Sequence, residues 1–269
     1  MKHFVAVLIV IAGICSMNIA GFGADDDCQK IVVSSDEAYP PISWRDKEHP
    51  EKIIGVAIEL IEMAFADLGI SVESRYVGPW KRTLKMLELG EIDMISGLYI
   101  TEERKAAFQF VFPMFMTDPS VIFVKKGAAF SFDKWDDLKG LTGGSRFGDS
   151  YGEQFDAFAK KNLTIEQVTT FKMLYKKIEY GRNRYMIYGL YPGWAQAEEL
   201  GVRDKIEYLP NFISNEGVYV AFSKRSPCAR HGEFLGKKIQ EYIAARLPEK
   251  LVEKYVTIWK DQAIIPSMK

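Results

Sequence analysis

The 269-residue sequence contains only three cysteines and three histidines. They are too few and too scattered for zinc-ligand spacing. Neither sign of charge is in excess: 35 Lys and Arg face 36 Asp and Glu, a formal net charge of −1. That balance argues against a nucleic acid or an anionic membrane surface as partner. There is no nucleophile elbow, and the glycine-rich stretch from Gly143 to Gly152 lacks the Gly-Lys-Ser/Thr ending of a phosphate loop. No cofactor is therefore expected. Beyond the N-terminal segment, no apolar run approaches the ~20 residues that a membrane helix requires. Low-complexity tracts, internal repeats and flexible linkers are also missing. What is present is a globular composition, 48% hydrophobic and 26% charged, in a chain long enough for one large domain or two lobes.

The N-terminus differs from the rest. A positive start, Met1-Lys2-His3, leads into the apolar run Phe4 to Ile14. Small residues follow in Ala20-Gly21-Phe22-Gly23-Ala24, and then Asp25-Asp26-Asp27. This three-part pattern reads as a secretory signal peptide over residues 1–23, cleaved near Gly23 or Ala24. Ile14 is not small, so Cys15 does not read as a lipid-anchor site. Export leaves Cys28 and Cys228. In an oxidising compartment such a pair either forms a disulfide or persists as two half-buried thiols.

The mature chain alternates between two hydrophobic periods. Ile31-Val32-Val33-Ser34 reads as a buried strand. The segment Ser35 to Trp44 contains Tyr39-Pro40-Pro41 and reads as a loop, because proline removes amide donors and restricts its predecessor. From Gly55 to Leu68, Ala57, Leu60, Ile61, Ala64, Phe65 and Leu68 recur at helical spacing, and Gly69 supplies a stop. A strand (Ser71 to Tyr76), a helix (Pro79 to Leu89) and a short strand (Ile92 to Ile95) follow. A second series holds strands at Val121 to Val124 and Tyr185 to Leu190. Its helices fall at Gln154 to Lys161, Met173 to Tyr180 and Ala195 to Leu200, with a helical turn at Trp135 to Leu138. Gly143 to Gly152 reads as irregular. A late strand (Val218 to Phe222) precedes terminal helices over His231 to Arg246 and Pro248 to Trp259. Two β-α-β series imply an α/β protein with open sheets flanked by helices.

One stretch carries a functional signal. Gly90-Glu91-Ile92-Asp93-Met94-Ile95-Ser96-Gly97 runs from a glycine turn through a strand to a second glycine. Thr101 then opens a helix whose first turn holds Glu102 and Glu103. Arg104 projects near the carboxyl end of the strand, where ligands bind in open α/β sheets. There it grips a carboxylate through paired charge-assisted hydrogen bonds, or serves as a surface ion-pair partner.

With these residues in hand, the sequence resembles the periplasmic substrate-binding proteins of polar-amino-acid ABC transporters, solute-binding protein family 3. The matches occur in order along nearly the whole mature chain. They are Tyr39-Pro40-Pro41, Trp80-Lys81-Arg82, Gly90-Glu91-Ile92-Asp93, Thr101-x-x-Arg104, Phe112-Pro113-Met114-Phe115, Gly148-Asp149-Ser150 and the final helix pair. The resemblance implies a type II periplasmic-binding-protein-like fold of two lobes joined by two hinge segments. Residues 24–117 and 217–269 would form lobe 1, and residues 118–216 lobe 2, with crossings near Thr117 to Ser120 and Ser214 to Gly217. Both Cys28 and Cys228 would then lie in lobe 1, which favours their pairing.

The same resemblance implies a ligand set. Arg104 matches the carboxylate arginine, Tyr39 the first-loop aromatic, Trp80 the pocket wall, and Gly97 to Tyr99 the backbone contacts. Gly148, Asp149 and Ser150 match the lobe-2 loop, with Phe147 beside it; Tyr188, on a lobe-2 strand, is a further candidate contact. Trp44, the second aromatic of the first loop, joins Tyr39 as a candidate for stacking on the solute. One position departs from the pattern. The acidic residue expected at the end of that lobe-2 strand is replaced by Gly189 or a neighbour, leaving Asp149, Tyr188 or Tyr191 to meet a ligand ammonium. The expected protein is a monomeric periplasmic binder that delivers a small polar, carboxylate-bearing solute to an inner-membrane ABC permease. The alternatives are a ligand-sensing module for a membrane receptor and an enzyme resembling cyclohexadienyl dehydratase, with Asp149 or Glu37 as acid.

Overall fold

The computed structural model describes residues 28–264. The expected signal peptide and Cys15 lie outside the described residues. The chain starts with strand β1 (Lys30–Ser34) and a small antiparallel sheet of β2 (Ala38–Tyr39), β3 (Ser43–Arg45) and β4 (Ile53–Ile54). Helix α1 (Val56–Ala66), β5 (Ser71–Ser74), α2 (Trp80–Leu89), β6 (Met94–Leu98) and the short α3 (Glu102–Ala107) follow. The long strand β7 (Phe108–Lys125) leads into β8 (Thr142–Arg146), α4 (Glu153–Asn162), β9 (Thr164–Val168), α5 (Phe171–Glu179), β10 (Tyr185–Gly189) and α6 (Leu190–Glu199). A second long strand, β11 (Ile206–Ser223), returns to α7 (Gly232–Ala244) and α8 (Leu247–Ile264).

Eight strands form one sheet in the order β5-β1-β6-β11-β7-β10-β8-β9. The outer three on each side are parallel among themselves where they pair, and the central β7 and β11 run antiparallel to their neighbours. β7 and β11 are 18 residues long and pair from Ser223 opposite Phe108 to Ile206 opposite Lys125. The isolated strands expected at Val121 and Val218 are therefore the ends of two ribbons that run the width of the molecule. Periodicity did not reveal their length, because β7 is apolar on both faces.

The cores divide along these ribbons. One pair of apolar clusters has its buried members among residues up to Phe115 and from Val218 onward, and includes Trp44, Phe65, Phe222 and Trp259. The other draws on residues from Val121 to Ile213, and includes Phe123, Phe171, Tyr185 and Ile187. Between the two sets of clusters, Thr117 pairs with Gly217 and Ser120 with Ser214. Helix α1 buries Ala57, Leu60, Ile61, Ala64 and Phe65 as its spacing predicts, each large side chain contributing about 1.5–3 kcal/mol. Leu68 departs from that reading: the helix ends at Ala66, and Leu68 is left exposed beyond it. Cys28 and Cys228 are joined by a disulfide that closes a separation of 200 residues within lobe 1.

The glycine-rich stretch also departs from its reading. Residues Thr142–Arg146 form an inner strand of lobe 2, between β10 and β9. A Cβ on Gly143 would lie 2.3 Å from the Tyr185 ring, and one on Gly144 would lie 2.8 Å from the Asn183 amide nitrogen. The glycines are there because neighbouring side chains cross the strand closely, a requirement set by residues forty positions away.

Candidate functional site

The carboxyl ends of the strands of both lobes converge on one cleft, as expected for open α/β sheets. From lobe 1 come Asp36 and Tyr39 after β1, Gly97 to Tyr99 at the end of β6, Trp80 at the start of α2, and Arg104 on α3. Lobe 2 contributes Arg146 at the end of β8, the following Asp149 to Tyr151, and Tyr188 and Gly189 at the end of β10. Asp118 and Ser120 enter from the middle of β7. The cleft holds about 420 Å³ of empty volume, open solvent at its mouth included.

Thr101 caps α3 by accepting the amide hydrogen of Arg104 at 3.1 Å. The cap fixes the first turn, and the Arg104 side chain turns inward. Its guanidinium donates to the Tyr99 carbonyl at 2.8 Å and to the Gly148 carbonyl at 2.9 Å, beside the Trp80 ring. Both acceptors are neutral carbonyls, so its charge is not balanced by either contact, and the rest of its donor fork is open to a carboxylate. Trp80 Nε1 also donates to the Gly148 carbonyl, at 3.1 Å. These two bonds, and Tyr188 Oη to the Ala38 carbonyl at 3.2 Å, hold the lobes together across the cleft.

A second arginine behaves differently. Arg146, on lobe 2, makes a two-pronged pair with Asp36 of lobe 1, through both terminal nitrogens. It also reaches both oxygens of Asp149, at 3.2 and 3.0 Å. All three side chains are largely buried. Burial alone would lower the Arg146 pKa, but Asp149 and Asp36 more than reverse this and raise it well above the usual arginine range. Asp149 is pushed upward by burial, with Arg146 opposing.

Asp118 is fully buried. Its Oδ2 accepts a hydrogen bond from Tyr39 Oη at 2.9 Å; Tyr99 Oη, which donates to the Asp118 carbonyl at 2.9 Å, lies 3.4 Å from the same oxygen. Burial raises its pKa to about 7, against the pull of Tyr39, the Tyr191 amide and Tyr99 towards the ionised form. Tyr39 and Tyr99 are themselves raised, first by burial and then by the Asp118 charge. Glu37, outside the cleft lining, is raised to about 7 by burial and by Asp36.

Of the residues expected from sequence, the cleft brings together Tyr39, Trp80, Gly97, Tyr99, Arg104, Asp149, Ser150 and Tyr188. Trp44 is a correction. It is fully buried in lobe 1, edge-on to Tyr255 and Trp259 at 5.6 and 5.5 Å, with Nε1 donating to Gln262. It sits on β3, which faces the terminal helix rather than the cleft. Phe147 also misses the cleft: it is 40% exposed and lines a crevice at the mouth, under the Lys81 ammonium. Asp149 does not offer a free charge, because Arg146 engages both its oxygens. Asp36, Asp118 and Arg146 were not anticipated. A charged residue inside an otherwise apolar strand marks Asp118, and the strand-end rule marks Asp36 and Arg146.

A family model, that of the bacterial extracellular solute-binding proteins, family 3, matches residues 31–258. The chain belongs to this family. Its fold is that of the type II periplasmic binding proteins. ArgBP from T. maritima, a P235GK mutant, superimposes with a TM-score of 0.70 at 20% identity, over 85% of this chain and 96% of that one. The amino acid ABC transporter substrate-binding protein AbpA from Streptococcus pneumoniae, bound to L-arginine, gives 0.70 at 21% identity, over 87% and 96%. A histidine kinase sensor domain with similarity to periplasmic binding proteins gives 0.71 at 19% identity, over 86% and 97%. No curated protein matches the sequence.

Proposed function

We propose that this protein captures a small polar solute carrying a carboxylate, an amino acid or a derivative of one, by closure of its two lobes. The observation that carries this reading is Arg104, buried in a cleft built from both lobes, with its guanidinium held only by neutral carbonyls and flanked by Trp80. The ligand docks on lobe 1 through Arg104, Tyr39 and Trp80, and the Gly148 to Ser150 loop of lobe 2 covers it. The paired crossings at Thr117 and Gly217 act as the hinge. Ligand shifts the population towards the closed form only as far as it prefers that form.

The leader expected over residues 1–23 directs export, and the closed protein, as a monomer, presents one fixed spacing of lobe tips to an ABC permease. ArgBP and AbpA, by their names an arginine-binding and a transporter protein, support this assignment. The likeness to a kinase sensor domain supports a second reading, in which the closed form signals to a membrane receptor. Binding without turnover is expected in both.

The test is a thermal-shift and calorimetric screen of the mature protein against the L-amino acids, small carboxylates, polyamines and prephenate. A ligand that binds only the native state raises the melting temperature. A carboxylate hit whose affinity falls roughly tenfold or more in Arg104→Ala supports the reading. A hit whose affinity is unchanged in that variant removes Arg104 from the site. Co-purification with a permease rather than a receptor kinase separates transport from sensing.

A further inference from the structure

We propose that Asp118, on the crossing strand β7, is the acceptor for a cationic amine of the ligand, so that the solute is a zwitterion with its carboxylate on Arg104 and its amine on Asp118. This rests on the reading of the cleft as a solute site. Asp118 lines the cleft, is fully buried, and has one oxygen, Oδ1, with no hydrogen-bond partner among the described residues. A buried carboxylate oxygen without a partner is costly unless something completes it. Its other oxygen accepts from Tyr39, with Tyr99 Oη 3.4 Å away, and the Tyr191 amide also favours the ionised carboxylate, so the open oxygen is held in a defined direction. Ser120, two residues along the same strand, lines the same cleft.

The position of Gly189 supports this assignment. β10 pairs with β7 there, with Gly189 opposite Ser120. A Cβ on Gly189 would fall 2.1 Å from Asp118 Oδ2 and 3.1 Å from its carboxyl carbon. The Asp118 carboxylate, with Pro192 Cγ at 2.8 Å, occupies the volume that any side chain at 189 would need. The two positions exclude each other, and the acid expected at the end of β10 is supplied from the adjacent strand instead.

Charge bookkeeping in the cleft selects the ligand class. Asp36 and Asp149 flank Arg146 and are hydrogen-bonded to it. That centre keeps one surplus negative charge, and outside it Arg104 and Asp118 remain, one of each sign; among the described residues neither is engaged by an opposite charge at hydrogen-bond distance. A dicarboxylate would satisfy Arg104 and be repelled by Asp118. A polyamine would do the reverse. A solute with one carboxylate and one amine completes both.

The experiment is isothermal titration of the mature, disulfide-bonded protein with the L-amino acids, with the des-amino acids corresponding to L-arginine and L-glutamine, and with succinate. Wild type, the isosteric Asp118→Asn, and the exchange Asp118→Gly with Gly189→Asp and Pro192→Ala, the last to clear the Cγ at 2.8 Å, are compared. Wild type should bind an amino acid, and removing its amine should weaken binding roughly tenfold to a hundredfold. Asp118→Asn should lose the same factor for the amino acid and almost none for the des-amino acid. The exchange should regain part of the loss, which a purely structural role of Asp118 would not produce. An amino-acid affinity within about twofold of wild type in Asp118→Asn overturns the inference, as does an equal loss for both members of the pair. Binding of succinate or a des-amino acid but of no amino acid overturns it and leaves the proposed function standing. Binding of no carboxylate at all overturns both.

Discussion

Two buried arginines lie in one cleft and do opposite things. Arg146 is finished: Asp36 from the facing lobe and Asp149 from its own loop satisfy it on two sides. Arg104 is unfinished: it has neutral carbonyls on the protein side and lines the cleft. The same contrast divides the carboxylates, with Asp36 and Asp149 paired and Asp118 holding an oxygen open. Identical residue types therefore separate into scaffold and binding surface by how completely the fold satisfies them. Net charge or residue identity alone would not make that distinction.

The largest test removes the finished centre. Arg146→Met leaves Asp36 and Asp149 buried with no cation between them. Breaking a buried pair in this way costs about 3–5 kcal/mol, and denaturant melts of ligand-free protein should show a loss of that order. Arg146 also ties the lobes together, so scattering should show a more open molecule. A variant of unchanged stability and abolished binding would reverse the comparison and make Arg146 the ligand arginine. The disulfide offers a calibration away from the cleft. Replacing Cys28 and Cys228 together by serine releases a loop closed over 200 residues and should cost about 2–5 kcal/mol. Ligand affinity should stay unchanged, because the bond lies in the lobe-1 core. Arg104→Ala should do the converse, lowering affinity for a carboxylate solute roughly tenfold or more and lowering the melting temperature less than Arg146→Met does.

The finished and unfinished centres were not equally legible in the sequence. Arg104 could be read because its setting is local: a strand, a glycine turn, a threonine cap and the first turn of a helix within a few residues. The elements around it could be read for the same reason, since helical spacing marks α1 and α2 directly. Asp118 is hidden in the sequence because Thr117 to Ser120 reads as a connection between lobes, whereas it is the interior of an 18-residue strand whose alternation decides which side chains face the cleft. The Asp36–Arg146 pair spans 110 residues, and no local pattern encodes it. β8 does not read as a strand because its glycines answer to Tyr185 and Asn183. Trp44 reads as a ligand residue because it shares a loop with Tyr39. One residue faces the cleft and the other the terminal helix, a distinction made only when β3 pairs with β2 and β4.

The smallest expected effect is the most selective for the open carboxylate. Burial lifts the Asp118 pKa to about 7, so in the ligand-free protein the group changes charge near neutrality. A cationic amine needs the ionised form. Affinity should therefore rise with pH through about 7 and level off above it. The stability of ligand-free protein should move the other way. A carboxylate raised in the folded state holds its proton more tightly there than in the unfolded chain. Its contribution is complete below the ordinary aspartate range and is lost as pH rises towards about 7. Glu37, raised to about 7 as well, adds to the stability slope, and the charges of Arg104, Arg146, Asp36 and Asp149 act on the same cleft. Asp118→Asn separates the contributions, since it removes one titrating group and leaves the others in place. Titrations at pH 5.5 and pH 8 should give wild type several-fold tighter binding at the higher pH and give the variant a flat profile. A pH dependence that survives in Asp118→Asn would assign the titration to Glu37 or to the Arg146 centre. The open carboxylate would then be one more part of the scaffold.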